Sequence, residues 1–453
     1  MLTLVLIWLV AAIGMMLLSR RSSAGLPLAY FLGLSLIHVP GAIIDLDEEW
    51  EWTRIGFEQT VIGMVCFLIA VVIARYVTFT RHLSRDAGMW RPQYLTRQSA
   101  ATLDGLALRY VIVGGIAYFV LMPIASRIPS ATAIMSSLGS LMLVGFCLRL
   151  WVARERQNWP KFWATLALLP LLPLATLVQG GFLGFGVLWV LSIGCFLFAQ
   201  SKRRLGYFLL TPVAIFVGMS VFVNYMITRG DIRDVVWNEQ SGIGDRLERV
   251  RDAFSNFEWL DTSNSAHRYA IEGRLNQNWL VGAAVERLED GETEYAFGAT
   301  VGHMVISLIP RALWPDKPAV GGGGTVVSEF TGIEFAEDTS VGAGQVFEFY
   351  INFGTIGVIG GFLLFGWIFG WMDLQIAEWL HRGDQRRFLL WFLICLAFLQ
   401  PGGNLVEIGV SAVSAAITAH GIGYFLGRRR SGADVAVAHE ALNSDASPRM
   451  ERS

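Results

Sequence analysis

Charged residues are scarce in this chain of 453 residues, where Asp, Glu, Lys and Arg together make up 16%. A soluble globular protein carries about a quarter charged residues. The hydrophobic residues, 54% of the chain, arrive instead in uninterrupted runs of roughly 16 to 23, long enough to cross a bilayer core of about 30 Å. This composition excludes a string of soluble domains and predicts an all-α, polytopic membrane protein.

Cysteine is also scarce. Cys66, Cys147, Cys195 and Cys395 all lie inside apolar runs, so we expect packing residues and neither a disulfide framework nor a metal-binding spacing. A positively charged start is missing too, because residues 2–18 form an apolar run with no Lys or Arg before it. A secretory signal needs that positive start, so we expect a retained first helix. No internal repeat of the kind common in transporters is present.

The apolar runs predict about eleven membrane-spanning helices. Lys and Arg are concentrated in every second loop between them, and the alternate loops contain few. The positive-inside rule then places the N-terminus outside, the C-terminus in the cytoplasm and the long loop outside. The predicted runs are 2–18, 26–44, 55–74, 110–125, 131–148, 162–178, 182–199, 205–227, 349–372, 388–399 and 405–426.

The predicted membrane spans divide the chain into four parts. Residues 1–227 hold the first eight transmembrane helices, residues 228–345 form a large external loop, and residues 346–427 hold helices nine to eleven. Residues 428–453 are polar and contain no aromatic side chain. Such a composition predicts a disordered tail, which would be cytoplasmic.

The first part of the external loop is expected to be helical. Apolar side chains recur at helical spacing in residues 243–260, which predicts an amphipathic helix on the bundle or at the lipid interface. A second helix is expected from residue 261, after a run of good N-cap residues. Arg268 pairs with Glu272 at i, i+4 spacing, whereas Arg274 lies beside a polar stripe and is a candidate for anion binding.

The second part of the loop is apolar but too short to span a membrane comfortably. Residues 295–310 therefore predict a re-entrant or interfacial helix, which carries His303 and is followed by Arg311. Acidic residues outnumber basic ones over residues 228–345. Any anion site in the loop must therefore be local, built from a few converging cations.

Three short motifs in this region resemble one family. Together they resemble the bacterial O-antigen polymerases of the Wzy type, also called oligosaccharide repeat-unit polymerases, which are related to O-antigen ligases. The resemblance is strongest over residues 268–360, and the central run, Pro-Arg-x-x-Trp-Pro-x-Lys-Pro, is its most specific part. The motifs contain Tyr295, Gly298 and Thr300, then Pro310, Arg311, Trp314, Pro315, Lys317 and Pro318, then Glu348, Phe349, Tyr350, Ile351, Asn352, Phe353 and Gly354.

The resemblance implies a glycosyltransferase of the GT-C kind in the bacterial inner membrane. Such an enzyme takes a growing glycan from undecaprenyl diphosphate and transfers it to the next lipid-linked repeat unit on the outer face. It implies no cofactor, no metal and no nucleic-acid partner. The implied partners are the lipid-linked glycans, membrane lipids, a chain-length regulator protein and a flippase.

This chemistry needs cations for the departing diphosphate and a base for the acceptor hydroxyl. Arginine suits the first task because its charged fork binds phosphate oxygens bidentately. The carboxylates and His303 are candidates for the second, and Glu348 is expected at the outer end of the ninth span. The predicted catalytic residues are Glu348, His303, Arg274 and Arg311, and the predicted substrate-binding residues are Arg268, Lys317, Asn352, Asp338 and Trp314.

Two other functions remain open. A ligase would transfer a finished glycan to another acceptor, but Arg274 is followed four positions later by Asn278 instead of the leucine of the ligase pattern, and His303 lacks the matching distant glycine. A non-enzymatic flippase or export component would need polar residues throughout its spans. Charge within the predicted spans is sparse, with Glu58 and Glu407 the main exceptions, which favours an enzyme with a site at the outer face.

Overall fold

The computed structural model describes residues 1–20, 22–46, 50–83, 97–125, 131–201, 204–238, 241–309, 314, 316–317, 323–335 and 341–424. Within these residues every regular element is helical. Eight helices of the described part are long and apolar enough to cross a membrane, judged by length and composition. Leu2–Leu18 and Gly184–Gln200 are apolar helices of 17 residues each. The chain is thus a helical, membrane-embedded protein, while the count of about eleven spans and the GT-C architecture stay predictions.

The helices follow the predicted apolar runs closely, with shorter helices between the two groups of long ones. The chain contains α1 (Leu2–Leu18), α2 (Leu26–Ile44), α3 (Glu51–Leu83), α4 (Arg97–Ile116, continuing through a π-helical turn to Ala125), α5 (Ala131–Gly139), α6 (Leu141–Glu155), α7 (Trp159–Leu166), α8 (Leu171–Gly180), α9 (Gly184–Gln200), α10 (Leu205–Val236), α11 (Ile243–Ala253), α12 (Ser265–Leu275), α13 (Asn278–Glu289), α14 (Ala299–Ser307), α15 (Gly323–Thr331), α16 (Gly344–Arg382), α17 (Gln385–Phe398) and α18 (Leu405–Tyr424).

Helices α3 and α16 form the centre of the bundle and run side by side in the same direction. Gly63 lies against the ring of Phe362, and Gly366 lies against the backbone of Phe67, so residue numbers rise together along both helices. A side chain at either glycine would collide with the neighbouring helix. Small residues at such crossings let helix backbones approach closely inside a membrane.

A buried ion pair holds one end of the bundle together, and we call this end of the bundle the Asp373 end. Arg75 Nη2 donates to Asp373 Oδ2 at 2.8 Å, and the backbone N–H of Ala24 donates to Asp373 Oδ1 at 2.9 Å. Asp373 is fully buried. These bonds tie α3 and α16 to the junction between α1 and α2, because a buried carboxylate requires partners of this kind.

Arginines from several predicted cytoplasmic loops meet at this same end. Arg154 donates to the carbonyl oxygen of Leu197 at 3.2 Å, and Arg204 donates to the carbonyl oxygen of Ser19. The alternation of basic and non-basic loops predicts this clustering. Which face of the membrane the Asp373 end occupies stays a prediction.

The opposite end, which we call the Asn276 end, is held by a buried polar network. Asn276 Nδ2 donates to Asp45 Oδ2 and to Thr53 Oγ1, both at 3.0 Å. Asn278 Oδ1 lies 2.8 Å from His38 Nδ1, and Asn278 Nδ2 donates to the His38 carbonyl oxygen at 2.7 Å. The network fixes the start of α13 against α2 and α3, and it gives the buried His38 a structural role.

Candidate active site

Helix α16 is broken near its start. Phe353 has φ −146° and ψ 24°, and Gly354 has φ 61° and ψ −151°, a conformation that only glycine adopts readily. The ring centroids of Phe349 and Phe362 are 5.5 Å apart, whereas thirteen residues of continuous helix rise about 20 Å. Residues 344–352 therefore fold back against residues 355–382, and we call them the re-entrant arm.

This fold-back moves Glu348 from its predicted place. A straight span starting at residue 349 would leave Glu348 at the outer end of the helix. The structure instead places it inside the re-entrant arm, where it is 5% exposed. Gly357 and Gly361 make the fold-back possible, because a Cβ at either position would collide with Phe349.

A second hairpin meets the start of the arm. Helices α17 and α18 run back along one another, since a Cβ at Gly423 would lie 2.9 Å from Arg386 Nε. The residues between them, 399–404, form the hairpin tip. The tip lies at the middle of α2, because a Cβ at Gly33 would lie 3.1 Å from the Pro401 ring.

Gln345 joins the hairpin tip to the re-entrant arm. Its Nε2 donates to the carbonyl oxygens of Gln400, at 2.7 Å, and Gly403, and its Oε1 accepts a hydrogen bond from Tyr30 Oη at 2.8 Å. Non-helical backbone deep in a membrane protein must find its hydrogen bonds within the protein. Gln345 supplies those bonds, so it lets the chain break its helices at this depth.

Glu348 forms the second contact between the re-entrant arm and the hairpin segment. Its Oε2 accepts the backbone N–H of Leu405, the first residue of α18, at 2.6 Å, where the helix dipole favours an anion. The hydroxyl of Thr300 forms a second hydrogen bond to the carboxylate, and Glu407 is the nearest like charge. Glu407 itself is engaged with Asn404 at the start of α18.

Glu348 borders a small, partly open cleft of about 40 Å³. The half-buried His303 of α14 lies on the same cleft, so the structure brings these two predicted residues together. Apolar side chains supply most of the remaining wall, as is usual for sites that bind organic ligands. The lining residues are Thr300, His303, Gly323, Val326, Val327, Val341, Ala343, Gly344, Phe347, Glu348, Asn404 and Val406.

Asn352 belongs to the same region, but its polar atoms are already engaged. Its Nδ2 donates to Thr300 Oγ1 at 2.8 Å and to the Glu348 carbonyl oxygen at 2.7 Å, and its Oδ1 accepts the Gly298 N–H at 2.8 Å. The backbone N–H of Ala296 donates to the Ile351 carbonyl oxygen at 2.9 Å, just before the helix breaks. The first and third motifs therefore meet in space and hold each other.

An aromatic layer closes the core between the hairpin tip and the Asp373 end, and we call it the aromatic floor. The ring of Tyr30 lies 4.7 Å from Phe369 and 5.0 Å from Phe67, and Phe369 lies 6.3 Å from Phe398. The hydroxyl of Tyr30 points to Gln345. The floor therefore separates the polar contacts of the tip from the buried ion pair at the Asp373 end.

Arg274 lies elsewhere, against the end of α10. Burial and the guanidinium groups of Arg229 and Arg233 lower the pKa of Arg274. Arg229 and Arg233 were not among the predicted site residues, although their i, i+4 spacing places both on one helix face. The predicted site is thus divided into an acidic cleft and a separate group of arginines.

Ile37 of α2 contacts both the hairpin tip and the residue before α13. Its carbonyl oxygen accepts the Gln277 N–H at 2.9 Å, three residues beyond Arg274. Its Cδ1 would lie 3.9 Å from a Cβ at Gly402 in the hairpin tip. The hairpin tip and the start of α13 therefore meet α2 at the same residue.

The remaining predicted residues are outside the cleft lining or outside the described part of the chain. Lys317 Nζ donates to the carbonyl oxygens of Ser307, at 3.3 Å, and Ile309, at 3.0 Å, at the end of α14. Trp314 is exposed, and Arg268 is half-buried on α12. The other two, Arg311 and Asp338, lie outside the described residues.

Potential metal ligands are dispersed in the described part of the chain. No group of three or more His, Cys, Asp and Glu side chains is arranged there to hold a metal ion. The cysteines Cys147, Cys195 and Cys395 are buried and unpaired, and Cys66 is unpaired and half-buried. They are packing residues, as their position in apolar runs predicts.

Comparison with known proteins identifies one family. The model of a domain of unknown function, DUF8712, matches residues 87–395, and the chain belongs to this family. No curated protein and no solved structure matches the chain. The matched residues include the first and third motifs, the re-entrant arm and most of α17, through Cys395.

Proposed function

We propose that this chain is a membrane glycosyltransferase of the O-antigen polymerase type, which joins repeat units carried on undecaprenyl diphosphate at the outer face of the bacterial inner membrane. The observation that carries the proposal is Glu348. Its carboxylate is buried and accepts a hydrogen bond from the backbone N–H of Leu405, where α18 begins. It lies beside a cleft that His303 also lines. Ionisable groups at this depth in a membrane protein are costly and are retained mainly for function.

In the proposed reaction Glu348 takes the proton from the hydroxyl of the acceptor sugar. The oxygen of that hydroxyl attacks the anomeric carbon of the donor glycan, the bond from that carbon to the diphosphate breaks, and undecaprenyl diphosphate departs with the bonding electrons. Stabilising the departing charge requires cations, and we assign this task to Arg274 and Arg311. We assign to His303 the orientation of the acceptor hydroxyl or a share of its proton.

The aromatic floor favours this function over that of a flippase. A flippase moves a hydrophilic headgroup across the whole membrane, so it needs a polar path through its bundle. Here the polar residues around the hairpin tip face a layer that contains Tyr30, Phe67, Phe369 and Phe398. A cleft that the aromatic floor closes on its inner side suits a reaction at one face of the membrane. A ligase would use the same chemistry with another acceptor.

The test is complementation of a strain that lacks this protein, with the surface glycan separated on a gel. The wild-type chain should restore a ladder of lengths, whereas Glu348→Gln should leave single repeat units that still reach the surface. Glu329→Gln is the matched control, because Glu329 is exposed on α15 beside the cleft, and it should restore the ladder.

Three results would contradict the proposal. A normal ladder from Glu348→Gln at wild-type protein levels would remove Glu348 as the base. Repeat units that fail to cross the membrane in the deletion strain would indicate a flippase. Long glycan that accumulates on the carrier lipid in the deletion strain would indicate a ligase.

A further inference from the structure

The bend before α14 contains a strained aromatic residue. Phe297 has φ 44°, in the left-handed region that a bulky side chain rarely adopts. Its side chain is 73% exposed, so packing in the core does not repay the strain. Backbone strain of this kind persists where the surrounding structure enforces it, and it is concentrated at functional sites.

The re-entrant arm holds this bend in place. The backbone N–H of Ala296 donates to the Ile351 carbonyl oxygen at 2.9 Å, and the N–H of Gly298 donates to Asn352 Oδ1 at 2.8 Å. These two bonds lie on either side of Phe297 in the chain. The ring is therefore presented at the surface by a backbone whose position is fixed.

A second exposed ring lies beside the bend. Phe353, at the break in α16, is 52% exposed, and its Cζ lies 3.6 Å from the position of a Cβ on Gly298. The ring centroids of Tyr295 and Phe297 are 6.1 Å apart, and the ring planes are inclined at 62°. The rings of Tyr295, Phe297 and Phe353 thus surround one turn of backbone, and we call them the aromatic rim.

Hydrogen-bonding groups border the aromatic rim. Tyr350 donates to Glu289 Oε1 at 3.1 Å and forms a further hydrogen bond with Tyr295. Glu289 is exposed, and a carboxylate accepts up to about four hydrogen bonds. A ligand on the rim would therefore meet apolar ring faces and, beside them, a carboxylate that can accept its hydroxyl groups.

The segment that leads to the rim is acidic and faces water. Glu289, Asp290, Glu292 and Glu294 are all exposed, and exposed carboxylates are unfavourable against hydrocarbon. Glu292 pairs with Arg287 at 3.7 Å, and the described residues provide no ion pair for the other three. This negative charge repels phosphate headgroups and acidic sugars.

We propose that the aromatic rim stacks against an uncharged sugar ring of the acceptor repeat unit. The proposal rests on the polymerase function, and it adds the chemical class of the acceptor and the place where the acceptor binds. The C–H groups on one face of a pyranose ring carry partial positive charge, which the negative face of an aromatic ring attracts. The hydroxyls at the edge of the sugar can donate to Glu289.

The rim lies close enough to Glu348 for one acceptor to reach both. Thr300 follows Phe297 by three residues, which span at most about 11 Å, and its hydroxyl is bonded to the Glu348 carboxylate. Asn352 connects the two places directly, because it bonds both Gly298 and Thr300. A repeat unit stacked on the rim would thus extend to the cleft where the proposed base lies.

The test uses Phe297→Gly, which removes the ring and the backbone strain together. The rate of chain lengthening is measured with purified full-length protein in detergent, and lipid-linked repeat units isolated from the deletion strain are the probe. The KM for the repeat unit should rise about two- to tenfold, the loss of one aromatic contact, while kcat changes little. The unfolding midpoint should stay the same or rise, because glycine adopts this φ without strain.

Two control variants and one altered substrate accompany this measurement. Phe297→Tyr keeps the ring and should keep the wild-type KM. Tyr269→Ala is the matched control, because Tyr269 of α12 is an aromatic residue that is 78% exposed, and it should also keep the wild-type KM. Repeat units whose primary hydroxyls have been oxidised to carboxylates should be poorer substrates for the wild-type protein, because the rim is acidic.

A cysteine at the same position tests whether the ring faces water. Phe297→Cys, in a background with the native cysteines replaced, should react in membranes with a membrane-impermeant maleimide, because the thiolate forms in water. Added repeat units should slow the reaction. Ile215→Cys is the control, since Ile215 is 60% exposed within a candidate span of α10 and should not react.

A wild-type KM in Phe297→Gly, or an equal rise of KM in Tyr269→Ala, would overturn the proposal. Equal use of the oxidised repeat units would also overturn it. A lowered unfolding midpoint in Phe297→Gly would give the ring a structural role instead, and an unreactive Phe297→Cys would make it a membrane anchor.

All these outcomes leave the polymerase proposal standing if Glu348→Gln still abolishes the glycan ladder. The reverse case can be recognised as well. If the wild-type protein lengthens no chain, yet repeat units protect Phe297→Cys from the maleimide, the sugar-binding rim would stand and the polymerase function would fail.

Discussion

Gly354 permits the re-entrant arm, so Gly354→Ala is the sharpest test of the fold around the site. At φ 61° and ψ −151°, a residue with a Cβ is strained by about 1–3 kcal/mol. Steric crowding does not add to this strain, because the new Cβ would lie 3.4 Å from Tyr295 Oη, an ordinary van der Waals distance. The variant should therefore unfold at a lower detergent concentration or temperature than the wild type, by an amount that corresponds to this strain.

The matched control is Gly360→Ala in the same helix. Gly360 is helical, and a Cβ there meets nothing within 4 Å, so alanine should be neutral or stabilise the protein by up to about 1 kcal/mol. Unfolding by sodium dodecyl sulfate in mixed micelles, followed by tryptophan fluorescence, measures both. Equal stability of the two variants would mean that α16 is not folded back.

A cross-link provides an independent readout of the same fold-back. Phe349→Cys combined with Gly361→Cys, in a background with the native cysteines replaced, should form a disulfide, because a Cβ at Gly361 would lie 2.5 Å from Phe349 Cγ. In a continuous helix the same positions would be about 18 Å apart, and no disulfide could form. Failure to cross-link would contradict the re-entrant arm even if Gly354→Ala were destabilising.

Two further predictions concern the ends of the bundle. Asn278→Ala should destabilise the protein by about 1–3 kcal/mol or more, because it leaves buried polar partners without hydrogen bonds. The control, Asn256→Ala at an exposed position, should change stability by less than about 0.5 kcal/mol. A similar loss of stability in both variants would count against the buried network. Arg75→Ala should cost about 3–5 kcal/mol by leaving the buried Asp373 unpaired, whereas Arg251→Ala breaks an exposed pair with Glu248 and should cost at most about 1 kcal/mol; the same micelle unfolding assay measures all four variants.

The long helices could be predicted from the sequence because hydrophobic run length reports directly on bilayer thickness. The run at residues 26–44, for example, has the same limits as α2. The run at residues 349–372 shows where this approach fails. Hydropathy averages over a window and does not detect a reversal of direction, so the break at Gly354 was missed. Gly344, Gly357 and Gly360 lie in the same apolar stretch, and nothing in their sequence context distinguishes the glycine that turns the chain.

The site could be predicted only where its parts are close in sequence or share a motif. Glu348 and Asn352 lie one turn apart, and the structure connects both to Thr300 of the first motif. Arg274 could not be separated from them by sequence, because its position depends on α12 packing against α10. Ile271 and Leu275 of α12 pack there around Val223, which turns the arginine towards Arg229 and Arg233.

The third motif has a structural explanation that competes with catalysis. Gly354 makes the turn, Asn352 holds the loop at Gly298, Tyr350 donates to Glu289 at 3.1 Å, and Glu348 binds the N-terminus of α18. Structural need alone could therefore account for each of these residues. Substitution by glutamine separates the two explanations at Glu348. The amide oxygen of Gln can still accept the Leu405 N–H, so a purely structural residue would tolerate Glu348→Gln and fail with Glu348→Ala. A general base would fail with both, because the amide takes up no proton.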